Sequence, residues 1–387
     1  MAAIDRSSVD SRSSASKLSD LCSPDSVNES RITAPGEFPL VSIIIVNFNG
    51  KEYLANCLDS IFDDNLSPSF EIIVVDNASP DRSWEIAKQY EGCDRPFMLL
   101  KSDKNLGYSG GINYALPHVS GKYIAILNMD TIVSSGWLSN IVDFFESHQE
   151  VGAVSPILLL EKDRDRVNAS GLSIHVTALG CNCGLGQLGS EFNQEPVRVS
   201  GIHGGAFVIR SSIVEKIRGF NEKGFLYNED VEISWLLLLM GYDLYCLPSS
   251  LVYHDYFLSI DPIKLYLLER NRILLLLTYL KWKSVLAMLP FLLFTELMIW
   301  CFCTWRGIKF LFAKSASYRW VIAQHQHIFT RKKFIHSLRK RTDWQVLKCL
   351  SWNFEWKQFF LLGRERGTSI RRSLHGDEIF REKILSD

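Results

Sequence analysis

The chain has 387 residues, of which 47% are hydrophobic and 22% charged, and its formal net charge is −1. That length allows one large domain plus an appendage and a sizeable core, and the balanced charge gives no sign of a nucleic-acid partner. Nine cysteines fall at irregular spacings. Cys181-Asn182-Cys183 and Cys301-Phe302-Cys303 lack a second pair or a His at zinc spacing, so a reducing compartment is expected.

Residues 1–38 are Ser-rich and polar, and read as a disordered tail without a signal peptide. The N-x-S matches at Asn28, Asn77 and Asn168 are therefore read as chance. Structure is expected from Val41, where VSIIIVN is apolar and β-branched like a strand buried on both faces. Phe48-Asn49-Gly50 turns the chain into a helix from Lys51 to Phe62. A second strand, Glu71 to Val75, ends at Asp76-Asn77-Ala78-Ser79, and a helix follows from Asp81 to about Tyr90. A third strand, Pro96 to Leu100, leads to Asn105-Leu106-Gly107-Tyr108 and another helix. A fourth, Lys122 to Leu127, ends in Asn128-Met129-Asp130. This alternation predicts an α/β fold with a mainly parallel central sheet and helices on both faces. In such sheets ligands sit beyond the carboxyl ends of the strands. Four strand ends here carry Asn47, Asp76, Asn105 and Asp130, which together predict a binding cleft. Each of these residues taken alone is also an ordinary turn former.

Further on, Val151 to Leu160 reads as a strand and residues 161–200 as loop-rich. Ser200 to Arg210 is expected as a strand and Ser211 to Ile217 as a short helix. Glu229-Asp230 opens an apolar helix from Val231 to Met240, with Gly241 as its C′ residue. Leu244 to Leu247 and Ser250 to Tyr253 read as short strands ending at His254. Gly184-Leu185-Gly186-Gln187-Leu188-Gly189 matches a dinucleotide fingerprint literally. It follows no first strand and opens no helix, so it is read as a flexible loop.

The ordered set Asn47-Phe48-Asn49, Asp76-Asn77-Ala78-Ser79, Asn105-Leu106-Gly107-Tyr108, Asn128-Met129-Asp130 and Glu229-Asp230 resembles the family 2 glycosyltransferases of the GT-A fold, within them the rhamnosyltransferase-like, non-processive branch. The resemblance covers about residues 40–280 and implies a nucleotide-diphospho-sugar-binding sandwich. By resemblance, Asp76 would contact the base or ribose, and Asp130 would hold a divalent metal as the second acid of a DxD motif. Asp230, or its neighbour Glu229, would be the catalytic base, and His254 stands where some GT-A enzymes place a metal-ligating His. Asn47, Asn49, Asn77, Asn105, Gly107 and Asn128 are the remaining substrate-binding candidates. His203 and Gly204 either line the acceptor pocket or reflect tight backbone packing. The implied cofactor is Mg2+ or Mn2+, and the implied partners are a nucleoside-diphosphate sugar and a glycan or lipid-linked acceptor.

The chemistry suits those roles. A diphosphate leaving group departs with negative charge that a hard cation neutralises, and one or two oxygen ligands suffice because such ions keep several waters. A carboxylate on the opposite side of the sugar takes the acceptor's hydroxyl proton in an inverting transfer. The sequence departs from the family pattern in three places. Asn128 replaces the first acid of DxD, Asn77 the second acid after the nucleotide Asp, and Trp235 a common Arg. The Q-x-x-R-W motif of processive synthases is absent, which predicts addition of one sugar or few.

Residues 281–387 are expected as a helical, basic, membrane-associated region. Glu269-Arg270-Asn271-Arg272 precedes the leucine run that leads into it. Ser284 to Cys303 holds one charge, Glu296, and has the length of a membrane span. From Thr304 to Thr342 there are ten Lys or Arg and no acid. Basic flanks on both sides argue for helices lying in the interface or re-entering it at the cytoplasmic face, with a single span as the alternative. Arg331-Lys332-Lys333 and Arg339-Lys340-Arg341 are expected to meet anionic lipid or a pyrophosphate. Two rivals remain: a sugar-phosphate nucleotidylyltransferase, whose Gly-rich, basic phosphate loop is lacking here, and a non-catalytic, membrane-attached nucleotide-sugar-binding protein.

Overall fold

The computed structural model describes residues 39–364. The tail expected at 1–38 lies outside them, as does the end of the C-terminal region. The strands are β1 (Val41–Asn47), β2 (Phe70–Asp76), β3 (Phe97–Lys101), β4 (Tyr123–Asn128), β5 (Thr131–Val133), β6 (Val151–Leu160), β7 (Asp163–Ala169), β8 (Leu172–Ile174), β9 (Gly180–Asn182), β10 (Val197–Arg198), β11 (Ala206–Arg210) and β12 (Asp243–His254). Ten of them form one sheet in the order β10-β12-β6-β11-β4-β1-β2-β3, with β5 on β12 and β7 on β6.

β1 to β4 are parallel, as their alternation with helices predicts. The other half corrects the mainly parallel expectation. β11 runs antiparallel between β4 and β6, and β5, β7 and β10 are also antiparallel to their neighbours, so the sheet is mixed. β7 folds back on β6 after a two-residue turn, and no helix lies between β10 and β11, so neither strand enters by the helical crossover that a parallel neighbour needs.

Both faces of β1 are buried, and its period of two divides it between two cores. Val41, Ile43 and Ile45 pack with helices Leu54–Phe62 and Trp137–Ser147. Ile44 and Val46 face helices Gly107–Ala115, Ser211–Ile217 and Glu229–Leu239. The last is apolar all round after its first turn and is buried accordingly. It ends in a Schellman motif: Gly241 has φ +94°, Gly241 N–H donates to Leu238 O at 3.1 Å, and Tyr242 N–H to Leu237 O at 3.0 Å.

The C-terminal helices are Pro262–Tyr279, Trp282–Ala287, Leu289–Arg306, Ile308–Ala323, His325–Leu338, Asp343–Leu347 and Trp356–Arg364. They pack directly on the sheet domain. Ile335, Val346, Leu347 and Leu350 join the core around helix Glu229–Leu239. Leu289–Arg306 has the length and apolarity of a membrane span, with mean hydropathy 1.2. One face of it is fixed, because Thr295 hydrogen-bonds Thr177 at 3.2 Å and Glu296 pairs with Arg272 and Lys314. Arg272 and Lys314 also hold the buried Glu269, so one ionic cluster ties three helices together.

Half of the basic block makes ion pairs within the chain. Arg331 pairs with Glu232 at 3.0 Å, Arg339 with Asp343, and Arg341 with Asp243 at 2.7 Å. Three of the six cations expected to meet lipid are thus part of the protein's own packing.

Candidate active site

β1 and β2 end in register, Asn47 beside Asp76. Asn47 Nδ2 donates to Asp76 Oδ1 at 3.0 Å, to Ser79 Oγ at 3.1 Å and to Ser83 Oγ at 2.8 Å. This buried amide therefore braces the two strand ends and the turn after β2, and holds the Asp76 carboxylate in place. Asn49 lies in the turn after β1 with φ +58°, and its N–H reaches Ser79 Oγ at 3.3 Å.

The second Asn pair shapes the next loop. Asn77 Nδ2 donates to Asn105 Oδ1 at 3.2 Å and to Gly107 O at 3.0 Å, while Asn77 Oδ1 accepts from Leu106 N–H at 2.8 Å. Asn105 Oδ1 also accepts from Gly107 N–H at 2.9 Å. Asn77 and Asn105 thus set the entry of helix Gly107–Ala115, whose Gly107 has φ +75°. Among the sequence candidates these two serve the loop rather than reaching into the cleft.

β4 ends at Asn128. Its Oδ1 accepts from the Tyr108 hydroxyl at 2.7 Å, and Tyr108 also reaches Gly204 O at 3.3 Å. Burial holds the Tyr108 phenol well above its ordinary pKa, and the carboxylates of Glu229, Asp130 and Asp230 raise it further. The Tyr108 hydroxyl thus joins the end of β4 to the Gly204 segment. Sequence reasoning omitted Tyr108 from the site, although it stands inside the Asn105-Leu106-Gly107-Tyr108 motif.

Asp130 follows β4 directly. β5 comes next and pairs antiparallel with the end of β12, Thr131 opposite His254. This register brings His254 Nε2 to 3.3 Å from Asp130 Oδ1. The other ring nitrogen, Nδ1, is held by Asn168 Oδ1 at 2.8 Å. With Nδ1 donating there, a neutral imidazole turns its bare Nε2 toward a carboxylate. Two acceptors then face each other, an arrangement a cation between them relieves. Cis ligands of an octahedral ion stand about 3 Å apart, close to this separation. The spacing of the pair fits two ligands of a Mg2+ or Mn2+ ion. Among the described residues no three His, Cys, Asp or Glu side chains converge as a closed cage. Asn128 adds no charge to this donor set. Asn168 had been passed over as part of a chance N-x-S match, and nothing in its spacing to His254 signals the contact.

β11 starts where β4 ends, Ala206 opposite Leu127, so the segment before it lies across the cleft. His203 Nδ1 accepts from Gly205 N–H at 2.9 Å, which leaves the proton on Nε2. Burial pushes this imidazole down to about 3, so it is neutral. Gly204 N–H donates to Asp230 Oδ2 at 3.2 Å, and a Cβ on Gly204 would stand 3.2 Å from the same oxygen. Glycine here lets the backbone approach the acid and donate to it, which is the close packing that was one of the two readings of this segment.

Asp230 Oδ1 also accepts from its neighbour Val231 N–H at 2.8 Å. Glu229 Oε2, by contrast, is buried with no hydrogen-bond partner. Burial, then the Asp230 charge, pushes the Glu229 carboxyl up to about 8, and burial also raises Asp230. The two backbone donors oppose that rise in Asp230. With two donors on Asp230 and none on Glu229 Oε2, Glu229 is the acid that holds a proton more tightly and Asp230 the one that ionises more readily.

Residues 42–218 match the family described as Glycosyl transferase family 2. An uncharacterized glycosyltransferase of Haemophilus influenzae is 28% identical over 32% of this chain and 39% of that protein. The minor teichoic acid biosynthesis protein GgaB of Bacillus subtilis is 32% identical over 31% of this chain and 14% of its own length. The low-salt glycan biosynthesis hexosyltransferase Agl10 of Haloferax volcanii is 29% identical over 50% of this chain and 60% of its own length. The matched segments thus span less than two thirds of these relatives. The region that carries β1 to β4 and the Gly204 segment, residues 42–218, is thus similar to the glycosyl transferase family 2.

Proposed function

We propose that the protein is an inverting glycosyltransferase that moves a single sugar, a hexose or deoxyhexose such as rhamnose, from a nucleoside diphosphate to a glycan or lipid-linked acceptor. The observation that carries this reading is the placement, at one edge of the sheet, of Asp130 against His254 and of Asp230 against Gly204, whose carbonyl also holds the Tyr108 hydroxyl. The relatives named for teichoic acid and glycan biosynthesis support cell-surface polysaccharide assembly as the setting.

In this mechanism Asp76, braced by Asn47, receives the nucleoside. Asp130 and His254 would hold Mg2+ or Mn2+ at the diphosphate, where the ion's charge favours departure of the leaving group. Asp230 accepts the acceptor hydroxyl's proton, and its anion is kept available by Gly204 and Val231 N–H. Glu229 stays protonated and spares the cleft a second charge. His203, neutral and carrying its proton on Nε2, lines the acceptor side.

The location proposed is the cytoplasmic face of a membrane, with the C-terminal helices lying in its surface. Supporting it are the fixed inner face of Leu289–Arg306 and its exposed outer residues Leu293, Phe294 and Leu297.

The test is turnover of a panel of UDP-, dTDP- and GDP-sugars by membrane-associated protein with Mg2+ or Mn2+. One donor is expected to turn over. Asp230→Asn should lower kcat by about 10²–10⁴-fold, the usual range for a lost general base. Asp130→Ala should raise the metal concentration needed. Binding of a donor without turnover by folded wild type, and without effect of either variant, would replace this reading with that of a nucleotide-sugar-binding protein.

A further inference from the structure

The acids Glu229 and Asp230 are delivered by a strained segment. Phe225, Tyr227 and Asn228 have φ of 64°, 65° and 69°. A left-handed backbone at a residue other than glycine costs about 1–2 kcal/mol, so neighbours must enforce it. On one side the segment meets the start of helix Gly107–Ala115: Phe225 O accepts from Tyr108 N–H at 2.6 Å, and the Phe225 ring lies against Gly107. On the other side it meets helix Pro262–Tyr279. Asn271 Nδ2 points at three carbonyls in succession, Gly224 O at 2.9 Å, Leu226 O at 3.0 Å and Tyr227 O at 2.8 Å. Arg270 Nη2 adds a contact to Gly224 O at 3.2 Å. Asn271 is 6% exposed.

We propose that Asn271 is a positioning residue for the transfer reaction. It fixes the backbone of residues 224–228 and through it the place of the Asp230 carboxylate relative to Tyr108 and Asp130. The chemistry is specific. An amide NH2 offers two hydrogens that three carbonyls share, a carboxylate there would face three oxygens, and an alkyl group would leave buried carbonyls without a donor. The same helix carries Glu269 and Arg272, which bind Lys314 and Glu296 of the next two long helices. The clamp on the acids is therefore rooted in the C-terminal helices, outside the matched domain. This inference rests on the transferase reading given above.

The test uses the full chain with Asn271→Asp and Asn271→Leu, followed by amide hydrogen exchange and by kinetics. Exchange in residues 224–230 should quicken by about tenfold or more, with β1 and β2 protected as in wild type. At the same time kcat should fall about tenfold or more, donor KM should change little, and the pH profile of kcat should shift because the acids' surroundings have changed. Unchanged exchange in a folded variant overturns the proposal. So does faster exchange with wild-type kcat and pH profile, since the segment would then not set the acids. A parallel fall of kcat, donor affinity and protection throughout the sheet marks a merely structural role and overturns it too. If wild type turns over no donor, the transferase reading fails instead, and the exchange arm alone decides whether Asn271 holds the segment.

Discussion

Glu229 and Asp230 are adjacent in sequence and opposite in electrostatic character. Asp230 has two backbone donors on its carboxylate, while Glu229 Oε2 is buried without one. A carboxyl with a raised folded-state pKa binds its proton more tightly in the folded chain. Its stabilising effect is complete below the unfolded value of about 4.3 and is lost as pH rises through about 8. Wild type should therefore lose stability across that window, and Glu229→Gln should remove the loss. The gain in the variant should be about 1–3 kcal/mol near the alkaline end, read from urea unfolding at a series of pH values. Stability curves that stay parallel would mean that Glu229 ionises normally. At this scale the acids were legible as positions through their order along the chain, since a carboxylate at one strand end or helix start is also an ordinary turn or N-terminal residue. The asparagines were legible only as positions. Asn77 and Asn105, expected to bind substrate, hydrogen-bond the loop that enters helix Gly107–Ala115, a contact their spacing does not signal. Asn168 and Tyr108 were missed because their roles depend on partners 86 and 20 residues away.

The loop that enters helix Gly107–Ala115 and the acid-bearing segment interlock through one glycine. Gly107 has φ +75°, and a Cβ there would stand 2.4 Å from both the Phe225 ring and the Phe225 carbonyl. Gly107→Ala adds left-handed strain of about 1–2 kcal/mol and overpacking of about 1–3 kcal/mol. It should lower the urea midpoint, and it should lower kcat beyond that, because Phe225 must move and carries the segment leading to Asp230. A variant as stable and active as wild type would show that the two segments are not coupled. Elements with one environment along their length were read closely: β1 ends where its turn signal stands, and β6 spans Val151–Leu160 as expected. Elements whose environment changes were not. The strand expected over 200–210 begins only at Ala206, because the segment before it serves Asp230 and His203 rather than a ladder. The two short strands expected before His254 are one strand, β12, with a register shift between Leu247 and Leu251. Pro248 breaks the ladder there without ending the strand.

At the scale of the molecule, the C-terminal helices present an apolar surface that the fold leaves uncovered. Leu293, Phe294 and Leu297 are 59%, 46% and 62% exposed on helix Leu289–Arg306, and Trp282, Trp305 and Trp344 are also exposed. Patches of this kind mark membranes or partners, and exposed Trp beside Lys suits a lipid headgroup layer. The sole acid of that helix, Glu296, is turned to Arg272 and Lys314, so its charge does not oppose insertion. Spanning would pull Thr295 from Thr177 in the sheet domain, which favours a helix lying in the membrane plane. The sequence showed the apolar run and the cations but not which cations remain outside. Reversing Arg331, Arg339 or Arg341 would break ion pairs within the protein, so loss of membrane binding in those variants would say nothing about lipid. Lys283, Lys309, Lys333 and Lys348 are exposed and make the cleaner test. Replacing Leu293, Phe294 and Leu297 together with Ser should cost about 1 kcal/mol each in bilayer burial, roughly a hundredfold in partition. Reversing the four lysines should weaken binding to anionic vesicles by about 1 kcal/mol per charge and leave binding to neutral vesicles less affected. Both variants should fold as wild type, because the residues changed are already at the surface. Unaltered recovery on anionic vesicles would sink the membrane reading, and if the apolar variant instead converts a dimer to a monomer, the face is an interface between copies of the chain.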